Sequence, residues 1–274
     1  MNIKMLTKRY PFIPITIIVV IVAVAIFAPF FTSYSPTEIN LTNRLRSPSM
    51  EHPMGTDDLG RDILTRTLFG TRISLLVAIL VIFSSGTIGV GVGILSGYLS
   101  GVKSVVLVRL TDAVLSFPSV FIAMLFAAAL GPSLANVVIA ISLVMWARIA
   151  RVVRGEVLSL KERDFVALSR VAGCSPVRIM IIDIFPNVLN TAIIILTLQI
   201  GAVILMEATL SFLGAGVPPP TPTWGSMVAG GRQYVTIAWW VVTFPGIAIL
   251  VTALAFNFIG DWLREALDPK LRQL

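Results

Sequence analysis

The chain is short of charge and has a single histidine and a single cysteine. Of its 274 residues only 13% are charged, about half the roughly 25% of an ordinary soluble domain. That shortage, set beside a hydrophobic content of 56%, excludes a water-soluble enzyme. His52 is the single histidine, so a histidine-rich metal site is impossible. Cys174 is the single cysteine, so no disulfide closes within the chain, and the redox compartment stays open. There is no repeat of fixed period and no low-complexity tract. No lysine follows a glycine anywhere, so the phosphate-cradling pattern G-x-x-x-x-G-K-[ST] is missing.

What the chain has in abundance is apolar sequence in long blocks. A block of about 20 residues crosses a bilayer as a helix. Six such spans are predicted, at about 11–31, 73–99, 110–130, 134–149, 187–206 and 236–260. The first is too long for the apolar region of a signal peptide and reads as an uncleaved span. With the N-terminus inside, 15 Lys and Arg fall in inside segments and six outside. Lys4, Lys8 and Arg9 begin the inside set, and Arg264, Lys270 and Arg272 end it. This bias predicts both termini in the cytoplasm. Five of the six exceptions, Arg44, Arg46, Arg61, Arg66 and Arg72, share the first external segment. The net charge of +7 then sets orientation in lipid and does not imply nucleic-acid binding. The expected architecture is an all-α membrane protein of six transmembrane helices. It divides into an N-terminal span with its external segment, 1–72, and a five-span core, 73–274, carrying a cytoplasmic segment at 150–186.

Local motifs are weighed against simpler explanations. "GVGVGILSG" lies inside a span and lacks the preceding strand of a dinucleotide site. Its Gly89, Gly93 and Gly97 recur every four residues and predict a face for close helix contact. "TDDLGRD", residues 56–62, lacks the full calcium-loop pattern and holds Arg61. A capped membrane-surface helix starting near Asp57 is expected there, and no metal site. "LGAGVPPPTPTWGSM" is proline-rich and stiff. Trp224, Trp239 and Trp240 suit the headgroup level. Pro118 and Pro245 are placed within spans three and six, as hinges or as static kinks. Asp112, Gln199 and Glu207 are candidates for the gate or pathway. Asp112 lies three residues after Arg109, which predicts an ion pair. Glu207 has no base within four positions, leaving gate lining, pairing with another chain, or an interfacial position open. No residue is assigned a catalytic role.

The most informative stretch is "FVALSRVAGCSPVRIMIIDIFPN", residues 165–187. Phe165, Leu168 and Ala172 fall on one helical stripe, with Arg163, Ser169 and Arg170 away from it. Gly173 is expected to end that helix, Ser175 to cap the next, and Pro176 to open it. The second helix, Val177 to Phe185, is apolar nearly all round and is predicted to be buried. Pro186 is predicted to break it. A corner held out on rigid supports suits docking in a partner's groove; a stiff loop between two spans fits the spacing equally well.

This stretch resembles the cytoplasmic coupling motif of ABC importer permeases, in which Glu-Ala-Ala is followed after three residues by Gly and, nine residues further, by Ile, any residue, and Leu-Pro. Gly173 and Pro186 match its two fixed points. Ala167, Leu168 and Ser169 replace Glu-Ala-Ala, while Asp183 and Phe185 replace the isoleucine and leucine. "HPMGTDDLGRDILTRTLFGTRISL", "RLTDAVLSFPSVFIA" and "MEATLSFLGAGVPPPTPTWGSM" are similar to segments of C-type permeases from dipeptide, oligopeptide and nickel importers. The resemblance implies the type I importer permease fold in a prokaryotic cytoplasmic membrane. It assigns ATPase coupling to Ala167, Leu168, Ser169, Arg170, Ala172, Gly173, Cys174, Ser175, Pro176 and Pro186. It further implies a second homologous permease forming a heterodimer, one or two ABC ATPase subunits binding ATP and Mg, and an extracytoplasmic substrate-binding protein. This chain itself would need no cofactor. Peptides or a similar small solute are the expected cargo, with nickel or another solute as the alternative. An ATPase-independent secondary transporter is the rival class, and it requires ionisable mid-span groups that these spans almost entirely lack.

Overall fold

A sequence this apolar satisfies its backbone within helices, since the bilayer core offers no water to bond. The computed structural model describes residues 11–267. Lys4, Lys8, Arg9, Lys270 and Arg272 lie outside the described residues. The helices are α1 (Phe12–Phe27), α2 (Ile63–Tyr98) and α3 (Val102–Leu115). There follow α4 (Ser119–Leu130), α5 (Leu134–Leu160) and α6 (Asp164–Val171). The last are α7 (Pro176–Phe212), α8 (Trp224–Gly231) and α9 (Trp240–Leu267). Five helices, α1, α2, α5, α7 and α9, are long and apolar enough to cross a membrane. The pair α3–α4 makes a sixth if counted as one broken span.

That third span, expected over 110–130 with a hinge or kink at Pro118, is broken into two helices. Its two halves meet at 91°. Pro118 has no N–H with which to extend α3, and at φ −60° and ψ 124° it starts α4 instead. It is therefore not a kink within a span, whereas Pro245 does lie inside α9. The 12 residues of α4 reach about 18 Å, short of the ~30 Å of hydrocarbon. Other helices outrun the predicted spans. α2 begins at Ile63 and passes through the 72/73 division, and α5 runs on to Leu160, taking up the start of 150–186.

The predicted glycine face is the seam between α2 and α5. A Cβ added at Gly89, Gly93 or Gly97 would lie 2.7, 2.6 and 2.7 Å from the Cβ of Ile149, Val153 and Val157 respectively. Three β-branched side chains, stiff at χ1, sit in three glycine notches at the same four-residue interval. Nearer the start of α2, Val77 and Val81 pack with Val137 and Ile141 of α5 and with Val203 and Leu210 of α7.

Pro186 does not break the chain as expected, and α7 continues from Pro176 to Phe212. The turn Ile179–Ile184 is π-helical. This wider turn accommodates the missing proline N–H, and Asn187 Nδ2 donates to the Asp183 carbonyl at 2.7 Å.

The external layer also differs from expectation. Residues 57–62 form a turn closed by a bridge between Thr56 and Asp62, so no helix starts at Asp57. Asp62 is the cap: its Oδ2 accepts from Thr65 N at 2.7 Å, while Oδ1 lies 2.9 Å from His52 Nδ1. Trp224 and Trp240 are buried within the protein, and Trp239 is exposed. The two buried indoles donate to the carbonyls of Thr67 and Thr56, each at 3.1 Å. An indole is half polar, and here carbonyls of the external layer satisfy it as water would. Two of the exceptional external arginines are committed locally. Arg61 pairs with Asp57 at 2.7 Å, and Arg66 donates to the Pro36 carbonyl at 2.8 Å.

Candidate functional site: the inner corner

The helix α6 has eight residues, with Asp164 in its first turn and Arg170 in its last. Both charges complement the helix dipole. Val166 is fully buried among Val153, Val157, Ile179 and Ile184 and anchors the helix. The stripe of Phe165, Leu168 and Ala172 points outward, and so does Ala167. Leu168 is 68% exposed and Val171 86%. Val166 and Val171 were not singled out from sequence, because periodicity cannot rank two valines in so short a helix.

The corner is built as the residues predict. Gly173 N donates to the Arg170 carbonyl and Cys174 N to the Ser169 carbonyl, both at 3.0 Å. With Gly173 at φ +73°, these paired bonds form a Schellman cap. Ser175 Oγ accepts from Arg178 N at 3.3 Å, and Pro176 stands at the first helical position. Ser169 and Cys174 are half-buried, and Pro186 is exposed on α7. Arg170 turns back toward the spans: its guanidinium lies 5.7 Å from the Tyr98 ring centre and 3.3 Å from the Lys161 carbonyl. The base of α7 is only half-buried, contrary to expectation. Ile179 and Ile184 pack inward, but Val177, Ile181 and Ile182 are exposed. All-round apolarity in a membrane chain does not require protein on every side, because lipid is as apolar as leucine.

The gate and pathway candidates separate. Asp112 pairs not with Arg109 but with Arg151, at 2.6 Å, because α5 packs beside α3. Both groups are exposed. Gln199 is buried with Nε2 3.9 Å from Met145 Sδ. Glu207 is 2% exposed, and its Oε1 accepts from Ser211 Oγ at 2.8 Å and Thr223 Oγ1 at 2.9 Å. Among the described residues no three His, Cys, Asp or Glu side chains gather to hold a metal.

Long apolar helices, a broken third span and a capped two-helix corner define a multi-pass membrane protein. The chain belongs to the family described as binding-protein-dependent transport system inner membrane component, which matches residues 89–273. Residues 13–48 match the N-terminal transmembrane domain of oligopeptide transport permease C. The dipeptide transport system permease protein DppC of Escherichia coli K12 is 43% identical over 262 residues, covering 93% of this chain and 87% of that protein. The protein of the same name from Alkalihalophilus pseudofirmus is 42% identical, covering 98% of this chain and 89% of that one. The inward-facing MetNI methionine ABC transporter has the same fold, with a TM-score of 0.60 at 18% identity, over 74% of this chain and 96% of that one. An amino acid ABC transporter matches with a TM-score of 0.53 at 15% identity, over 76% and 94%. The chain is thus a permease of an ABC importer, a transport subunit with the importer permease fold.

Proposed function

We propose that this chain carries peptides, or small solutes like them, across a prokaryotic cytoplasmic membrane as one half of a heterodimeric permease. ATP and Mg belong to partner ATPase subunits, and cargo arrives on an external binding protein. The observation that carries the coupling role is the corner itself. Val166 and the Schellman cap hold α6 rigid while Leu168 and Val171 stand free to enter a groove. Motion applied there passes through Gly173 to Ser175 into the base of α7. Both termini lie in the cytoplasm on this account, with the His52 layer outside. The peptide assignment is supported by relatives above 40% identity that are named for dipeptide transport.

Cys174 provides the test, being the only thiol in the chain and part of the cap. The complex is purified from its host membrane and treated with a short bifunctional thiol reagent, and the captured protein is identified. Capture of an ATPase subunit, altered by ATP, is the expected result. Failure of any ATPase to co-purify in mild detergents would make the self-sufficient transporter the better account.

A further inference from the structure

At the outer end of α7, opposite the corner, a carboxyl is buried with only hydroxyl partners. Glu207 Oε1 receives Ser211 Oγ from its own helix and Thr223 Oγ1 from the start of α8. Thr223 is also the cap of α8: its side chain accepts from Ser226 N at 3.0 Å, and Ser226 Oγ accepts from Thr223 N at 3.0 Å. Gly225, the second residue of α8, is pressed onto α7. A Cβ there would lie 2.5 Å from Ala208 Cα and 3.1 Å from Glu207 Oε2. The next-door Trp224 ties the same short helix to α2, through Ser74 Oγ at 3.3 Å and the Thr67 carbonyl at 3.1 Å. α8 therefore bridges the outer ends of two spans, and Glu207 is its fastening to α7.

We infer that Glu207 is a positioning residue that pins α8 to α7, so that the outer cap and the inner corner move as one rigid piece. Beyond the π turn, α7 runs 28 residues of α-helix from Phe185 to Phe212, about 42 Å at 1.5 Å per residue. A displacement at Gly173 then reaches α8 without loss, provided α8 cannot slip. The pin works through an oxygen that accepts two hydroxyl protons, not through an ion pair. This inference rests on the permease reading, but it does not depend on which solute is carried.

The test uses the assembled transporter with Cys174→Ser and spin labels attached through N190C on the shaft of α7 and G230C on α8. Asn190 is exposed, and no atom lies within 4 Å of a Cβ added at Gly230. The distance between labels is measured without nucleotide and after trapping with ATP and vanadate. A single narrow distance, the same in both states, is expected for the parent and for E207Q, whose amide oxygen still accepts both hydroxyls. E207A and the double variant S211A/T223V should broaden that distance and lower dialanine uptake per ATP at least tenfold. Restoring the link covalently with S211C/T223C in the E207A protein should narrow the distance again. A parent distance that changes with nucleotide overturns the proposal, as does loss of the narrow distance in E207Q or its survival in both E207A and S211A/T223V. Dialanine uptake that fails in the parent while ATP is hydrolysed refutes the peptide assignment and leaves the distances to judge the pin.

Discussion

Gly173 sets the corner by backbone conformation and nothing else. No atom lies within 4 Å of a Cβ added there, so a substitution meets no steric obstacle beyond its φ of +73°. An L-residue in that region costs about 1–2 kcal/mol, least for asparagine and most for β-branched side chains. G173N should keep the ratio of dialanine imported to phosphate released, whereas G173V should lower it severalfold with membrane insertion intact. Equal ratios in the two variants would remove the corner from the coupling path. This residue was legible in sequence because a left-handed cap has a local signature: glycine, then a serine cap, then proline. Glu207 was legible only as an anomaly. Its hydroxyl partner Thr223 lies 16 positions away, beyond the reach of helical spacing.

Regularity decides which features of an element can be read in advance. The seam of α2 and α5 was readable because Gly89, Gly93 and Gly97 keep one interval, and Ile149, Val153 and Val157 keep the same one. Its energetics follow from the fit. G93A drives a methyl into the Val153 side chain, an overpacking that costs about 1–3 kcal/mol. V153A removes only the Cγ atoms and leaves the Cβ of residue 153 at 2.6 Å and the Ala150 carbonyl oxygen at 2.9 Å, so G93A should lower the melting temperature of the purified complex with or without V153A. A G93A protein that melts with the parent would mean that the notches do not set the helix approach. Prolines were less readable, because the same residue gave three outcomes here. Pro118 starts a helix after a 91° turn, Pro186 is absorbed by a π turn, and Pro245 stays within α9. Which outcome occurs depends on how the neighbouring turns adjust, as the π turn Ile179–Ile184 does just before Pro186.

For the whole molecule, apolar blocks predicted six crossings, and the structure has five helices long enough to cross, or six with the broken pair counted as one; charge bias predicted which side each end faces. Sidedness is open to direct measurement. Met50 is fully exposed in the first external segment, and Leu168 is 68% exposed on the corner. In intact cells carrying Cys174→Ser, a membrane-impermeant maleimide should label M50C and spare L168C until the membrane is opened. Labelling of L168C from outside would invert the topology. The external layer was the part least visible in sequence. Its aspartates suggested a helix, whereas they serve Arg61, Arg66 and the cap of α2. Trp224 and Trp240 looked like headgroup anchors because their partners stand far off along the chain.

Those separations have a consequence for biosynthesis. Trp224 meets Thr67 across 157 positions, and Trp240 meets Thr56 across 184. The segment that emerges first on the outside is thus completed by residues translated nearly last, and contacts so remote in sequence form late. During elongation the carbonyls of Thr56 and Thr67 are made long before their indoles, and that of Thr67 is meanwhile held by Thr71 Oγ1, at 2.9 Å in the finished fold. The outer surface is therefore a record of whether synthesis was finished: a ribosome that stalls before Trp240 leaves an unsealed layer open to proteolysis on the far side of the membrane.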